Sequence, residues 1–260
     1  MYPILFKLGS FTIHTYGFFV ATGFLTGIFL AKHEANRVGE DSEKITDLCF
    51  YVLIAAIIGS RIFYVLTNLK YFAAEPLDVF KIWNGGLVFY GGFIAALIVL
   101  LVYLKKHGMP LWKILDIAAP SLALGHFFGR LGCFSAGCCY GKLSDLPWAV
   151  TFTNPDSLAP LGVPLHPTQL YSAANNLIIF GFLLLFKRIK KFEGQLFWIY
   201  VLLYGITRSI IEIFRGDPRG GVLFGILSVS QTIGAAMSII AVFMLVVLGR
   251  RAAGVSGENA

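Results

Sequence analysis

Residues 46–67, TDLCFYVLIAAIIGSRIFYVLT, decide the fold. Only Asp47 and Arg61 are charged in this run, and it exceeds the roughly 20 helical residues that cross a hydrocarbon core. It reads as a transmembrane helix. An arginine at bilayer depth costs about 2.5–3.5 kcal/mol on insertion scales, so Arg61 needs a cavity or a partner.

Comparable apolar runs recur on either side, at residues 11–31, 86–104, 114–135, 169–186, 195–214 and 225–248. The whole chain shares their character, with 57% hydrophobic and 13% charged residues, against roughly 25% charged in soluble domains. The first run is long, lacks a basic leader beyond Lys7 and is interrupted by His14, Thr15 and Tyr16, so it is expected to be a retained helix and not a cleaved signal. The fold class predicted is an all-α integral membrane protein, a bundle of about seven transmembrane helices with an outward-facing cap of loops and short helices. Residues 1–253 are expected to form a single transmembrane domain, and 254–260 a short polar cytoplasmic tail.

Cytoplasmic ends carry the excess of Lys and Arg. One set of helix ends holds Lys32, Arg37, Lys44, Lys105, Lys106, Lys113, Lys187, Arg188, Lys190, Lys191, Arg250 and Arg251, twelve in all. The other set holds six: Lys7, Lys70, Lys81, Lys142, Arg215 and Arg219. The N-terminus is therefore expected outside and the C-terminus in the cytoplasm. The net charge of +7 is topogenic, with some attraction to anionic membrane lipids, and points to no nucleic acid.

These eighteen leave Arg61, Arg130 and Arg208 of the 21 basic residues inside apolar runs. Each is read as a site residue, the alternative being snorkelling or a local ion pair. Glu212 follows Arg208 by one helical turn and suits pairing. The remaining positive charge, close to lipid, suits a phosphate.

In WNGGLVFYGG, residues 83–92, paired glycines allow close approach of the backbone to a ligand. A connection with five prolines, residues 144–171, reads as an ordered cap, ending in HPTQLY, where His166 and Gln169 either cap backbone or face a site. Before it lies GRLGCFSAGCCYG, residues 129–141, with three of the four cysteines. Cys133, Cys138 and Cys139 pack as small hydrophobes, act as thiols lowered by the nearby cation in a disulfide-permissive compartment, or ligate metal. The CxxxxCC pattern is not a standard ligand spacing, so no metal and no cofactor are expected.

In order along the chain, TYGFF, SRIFYVL, WNGGLVFYGG, GRLGCFSAGCCYG, HPTQLY, YGITRSIIEIFR and LSVSQ resemble the prolipoprotein diacylglyceryl transferases, inner-membrane enzymes of bacteria. The resemblance implies transfer of the sn-1,2-diacylglyceryl group from phosphatidylglycerol to the lipobox cysteine of a prolipoprotein peptide, releasing glycerol phosphate. It implies a phosphatidylglycerol-binding role for Arg130, with Arg61, Tyr16 and Glu212 lining the same cavity, and an essential role for Arg208, four residues after Tyr204. Tyr90 stands where the family carries a histidine important for activity. Cys133 and Cys138 replace an asparagine and an acid, and Ser172 replaces a glutamate. Tyrosine is a poorer base than histidine at neutral pH. His126, one turn before Arg130, is then the proton carrier or a packed structural histidine. A diverged homologue using its own thiols, or an inactive lipid-binding relative, are the alternatives.

Overall fold

The computed structural model describes residues 1–8, 11–217, 222–223 and 227–258. Arg219, counted above among the outer basic residues, and residues 259–260 of the tail lie outside them. Eight α-helices run in order: α1 (Thr15–Arg37), α2 (Ser42–Thr67), α3 (Leu69–Ala74), α4 (Phe89–His107), α5 (Leu111–Ala136), α6 (Thr168–Phe186), α7 (Gln195–Glu212) and α8 (Val229–Glu258). All but α3 have at least 18 residues. Five of them, α1, α2, α4, α6 and α8, are long and apolar enough to cross a membrane. The other two long helices, α5 and α7, carry the buried acid Asp116 and the charged residues Arg130, Arg208 and Glu212. Polar side chains needed inside the protein lower the apolarity by which a span is recognised.

The first run begins later than expected. Phe11–His14 form a strand paired with Ile4–Leu8, β2 against β1, and α1 opens at Thr15. That residue's amide donates to Pro3 O at 2.9 Å and its hydroxyl to Tyr2 O at 2.5 Å. Two further two-residue ladders, Val150–Thr151 with Pro164–Leu165 and Val222–Leu223 with Leu227–Ser228, add strand to connections expected to hold only loops and short helices. At the other end, α8 continues to Glu258 through most of the expected tail.

The chain divides into two compact units. One comprises Met1–Leu30 and Leu115–Ala260. Its core is Ala119, Ala123, Ile179, Leu183, Leu196, Tyr200, Val201 and Ala241, drawn from α5, α6, α7 and α8. Helices α7 and α8 meet through Gly205 and Gly234, where a Cβ on either would lie 2.8 Å from the other's carbonyl oxygen. Close backbone approach of this kind is how helices pack when lipid removes the hydrophobic drive between them. Asp116, 2% exposed, accepts from Lys190 Nζ at 3.0 Å and from the amides of Gly194 and Phe197 at 2.8 and 2.9 Å. One carboxylate on α5 thus holds the connection into α7 and two orphan amides around the start of that helix. By contrast, Ile178, Leu185, Ile239 and Phe243 are largely exposed, as side chains solvated by lipid should be.

The second unit is Ala31–Ile114. Here α2 packs on α4, and the glycines of the YGG segment serve this packing: a Cβ on Gly92 would lie 2.7 Å from Ala56 O, and one on Gly59 would lie 2.6 Å from Gly91 O. Arg61, 8% exposed, points into the connection that follows α3. Its Nε donates to Val79 O at 2.9 Å, Nη1 to Gly85 O at 2.8 Å and Gly86 O at 3.2 Å, and Nη2 to Asp78 O and, at 3.4 Å, to Lys81 O. The guanidinium lies 5.5 and 5.4 Å from the ring centroids of Tyr64 and Phe72. Nearby, Asp78 pairs with Lys81 Nζ and accepts from Tyr71 Oη, both at 2.5 Å, which holds its carboxyl below the usual carboxylate range.

Candidate active site

Arg130 on α5, Ser172, Asn175 and Asn176 on α6, and Tyr204, Arg208 and Ile211 on α7 line one shallow cleft. Helical spacing sets this lining. Ser172, Asn175 and Asn176 share a face of α6, as do Tyr204, Arg208 and Ile211 on α7. Each of the two arginines sits within two turns of the end of its helix.

The arginines are held differently. Arg208 Nη1 is paired with Glu212, one turn on, and Nη2 donates to Ser230 Oγ on α8 at 3.3 Å. Glu212 Oε2 also faces Arg215 Nε at 3.6 Å, and Arg215 forms a two-pronged pair with Asp217 at 2.9 Å on each prong. Arg130 stands beside Tyr204 in the lining, and among the described residues no carboxylate pairs with it. Three guanidiniums against two carboxylates leave one positive charge over, on the cleft.

Neutral polar groups complete the lining. Ser172 Oγ donates to Thr168 O at 2.8 Å, inside its own helix. Asn175 Nδ2 donates to Thr207 Oγ1 at 2.9 Å. Asn176, 1% exposed, donates through Nδ2 to Ser172 O at 2.7 Å, while its Oδ1 has no partner among the described residues. A buried acceptor without a donor is costly, so a donating group brought by a ligand would be favoured there. These amides were missed in sequence, where neutral residues in an apolar run give no charge signal.

His126 does not line the cleft. Its Nδ1 lies 2.8 Å from Tyr200 Oη, and its ring packs 5.2 Å from that of Tyr204, so it stands behind Tyr204. Tyr16, which does not line the cleft, packs on α5 two residues beyond Arg130: a Cβ on Gly132 would lie 3.1 Å from its Cδ2. Arg61 and Tyr90 belong to the second unit. Tyr90, at the start of α4, is 55% exposed with its ring edge against Phe89. Arg61 has all five N–H groups directed at main-chain carbonyls, which leaves none for a phosphate and makes it the clamp of its own connection.

The HPTQLY and GCCYG motifs form one structure. Gln169 Nε2 donates to Cys138 O at 2.8 Å and Thr168 Oγ1 to Cys139 O at 2.7 Å, while the Gly141 amide donates to His166 O at 3.0 Å. His166 Nδ1 lies 3.2 Å from Tyr171 Oη, so His166 acts within its own segment while Gln169 holds the cysteine turn. The sulfurs of Cys133, Cys138 and Cys139 all lie within 4.8 Å of one another, and none of these cysteines lines the cleft. Hydrogen bonding to Cys133 and then to Cys139 pushes the Cys138 thiol up.

Fold and cleft together define a helical, multi-pass membrane protein with a small polar cleft that holds two arginines. The sequence pattern of the family "Prolipoprotein diacylglyceryl transferase" matches residues 3–247. The phosphatidylglycerol--prolipoprotein diacylglyceryl transferase of Clostridium tetani is 38% identical over 244 residues, covering 94% of this chain and 96% of its own. That of Geobacter sulfurreducens is 34% identical over 259 residues, covering 97% of each. A third relative, phosphatidylglycerol--prolipoprotein diacylglyceryl transferase 2 of Clostridium perfringens, is 33% identical over 230 residues, 88% of this chain and 89% of its own. The chain belongs to the prolipoprotein diacylglyceryl transferase family.

Proposed function

We propose that this protein transfers the sn-1,2-diacylglyceryl group of phosphatidylglycerol to the lipobox cysteine of prolipoproteins in lipoprotein maturation. The observation that carries the reading is the cleft with Arg130 and Arg208 in its wall and one positive charge in excess. The two guanidiniums would take the headgroup phosphate at this cleft, with the acyl chains left in the membrane.

In this reading the two guanidiniums hold the headgroup phosphate, and Tyr204 and Glu212 fix their orientation. The incoming thiol attacks the glyceryl carbon that bears the phosphate. A C–S bond forms, the C–O bond to phosphate breaks, and the electron pair leaves with glycerol phosphate, a monoester whose formation matches the proton lost by the thiol. Charge grows on the leaving phosphate oxygens, and fixed donors aimed at them lower the barrier without reorganisation. In this reading Asn176 Oδ1, buried without a partner among the described residues, accepts from a headgroup hydroxyl, a contact that phosphatidylethanolamine would make differently. The nucleophile comes with the substrate, in keeping with the position of the three cysteines outside the cleft.

The same reading places the chain in the bacterial cytoplasmic membrane as one domain of seven spans, with the N-terminus outside and the C-terminus inside. The twelve-to-six distribution of basic residues and the seven helices of 18 residues or more support it. The test is direct: purified protein, phosphatidylglycerol micelles and a lipobox peptide, with the diacylglyceryl thioether read by mass spectrometry. Absence of the thioether with active lipid and reduced peptide overturns the proposal.

A further inference from the structure

The three-cysteine turn is not used by this chemistry, and it is built with some care. Cys139 adopts φ 63°, left-handed for a residue with a Cβ, a strained conformation that persists only where its surroundings fix it. Those surroundings are the carbonyl contacts of Thr168 and Gln169, both 1% exposed, and the Leu158 amide, which donates to Ala136 O at 3.0 Å. The outcome is that Cys138 and Cys139 turn back on Cys133, near the end of α5. Spacing along the chain argued against a ligand set; the left-handed residue overrides it.

We propose that Cys133, Cys138 and Cys139 form a three-thiolate site for a thiophilic d10 cation, Cu(I) or Zn(II). Three sulfurs at about 2.3 Å from one ion stand about 4 Å apart in a trigonal plane. The observed limit of 4.8 Å requires less than an ångström of closure. Soft thiolates select such cations over Mg(II) or Ca(II). Binding releases the three S–H protons and leaves a net charge of minus two with Cu(I) or minus one with Zn(II), which the Arg130 guanidinium, one turn back from Cys133 on α5, partly offsets. A disulfide would engage two sulfurs and leave one over; a cation engages all three. Since the cysteines lie outside the cleft, the ion serves to hold the turn that α6 clamps and is not a participant in transfer.

The experiment uses full-length protein in detergent, reduced and freed of metal, titrated separately with Cu(I) and Zn(II) against a competing chelator, with Co(II) as a spectroscopic probe. One equivalent should bind, with a thiolate-to-metal charge-transfer band. Cys133→Ser, Cys138→Ser and Cys139→Ser should each weaken binding by more than the roughly 10–100-fold that loss of a supporting group costs. Cys49→Ser, on α2 in the other unit, should leave it unchanged. Blocking the thiols of folded wild-type protein with a methylthiolating reagent should abolish uptake, which guards against misfolded variants. Uptake of either ion that depends on all three sulfurs supports the proposal. Reduced protein that binds neither ion, or binding that survives loss of any one of the three sulfurs, overturns the proposal. So does protein extracted without reductant that carries a disulfide within the trio and takes up no metal once reduced.

Discussion

Tyr200 Oη lies 2.8 Å from His126 Nδ1, one layer behind the cleft. The histidine is thus engaged with α7 and supports Tyr204 from the rear. Tyr200→Phe should leave substrate KM unchanged and lower kcat by no more than about tenfold, the equivalent of one hydrogen bond of roughly 0.5–1.5 kcal/mol. Steady-state kinetics on the lipobox peptide measures this. Complete loss of turnover in a folded Tyr200→Phe protein would give the pair a part in proton transfer.

Arg130→Ala and Arg208→Ala should each lower kcat/KM by about 10²–10³-fold, the usual cost of one fixed donor to a developing oxyanion. Lysine at either position should recover little, because a point charge cannot reproduce the two-pronged geometry. A native rate in Arg130→Lys, measured by mass spectrometry of the peptide, would detach the phosphate from this arginine.

Asp116 predicts a stability effect without a direct catalytic one. Asp116→Ala leaves two amides and a lysine without their acceptor and should destabilise by roughly 3 kcal/mol, the low end for breaking a buried pair because Lys190 keeps some solvent. Asp116→Asn retains an acceptor and should lose less. Thermal unfolding in detergent separates the two variants, and equal midpoints for both would refute the assignment.

The connection held by Arg61 should respond to acid. Because the Asp78 carboxyl is held below the usual range by Lys81 and Tyr71, its contribution is complete above about pH 4 and disappears as pH falls through its lowered folded value. Hydrogen exchange of residues 76–86 should therefore rise only below that point, and Asp78→Asn should remove the dependence. An increase beginning near neutral pH would contradict it.

Single-cysteine labelling at Lys105→Cys and Pro155→Cys should report opposite faces of the membrane. Finding both on one face would refute the seven-span arrangement.

Part of the candidate site was legible because charge in lipid is conspicuous: Arg130 and Arg208, with Glu212 as the partner of Arg208, announce themselves inside apolar runs. Arg61 gives the same signal for a different purpose, since sequence does not reveal that five carbonyls from residues 78–86 reach it. Asn175 and Asn176 were invisible because an amide carries no charge to mark it in an apolar helix. Asp116 reads as an ordinary acid in an early helical turn until the chain from Lys190 to Phe197 is seen around it. The onset of α1 was misplaced because β-branched and aromatic residues at 11–13 suit a strand as well as a span. The cysteine turn was hidden by a backbone angle that a spacing rule does not contain.

Arg61 also bears on how this protein enters a membrane. The carbonyls that solvate its guanidinium emerge from the ribosome 17 to 25 residues after it. Until they do, α2 carries a cation whose insertion costs up to about 2.5–3.5 kcal/mol. The smallest stretch that is electrostatically at ease in lipid is accordingly not α2 alone but residues 42–86, the helix together with the connection that folds back on its arginine.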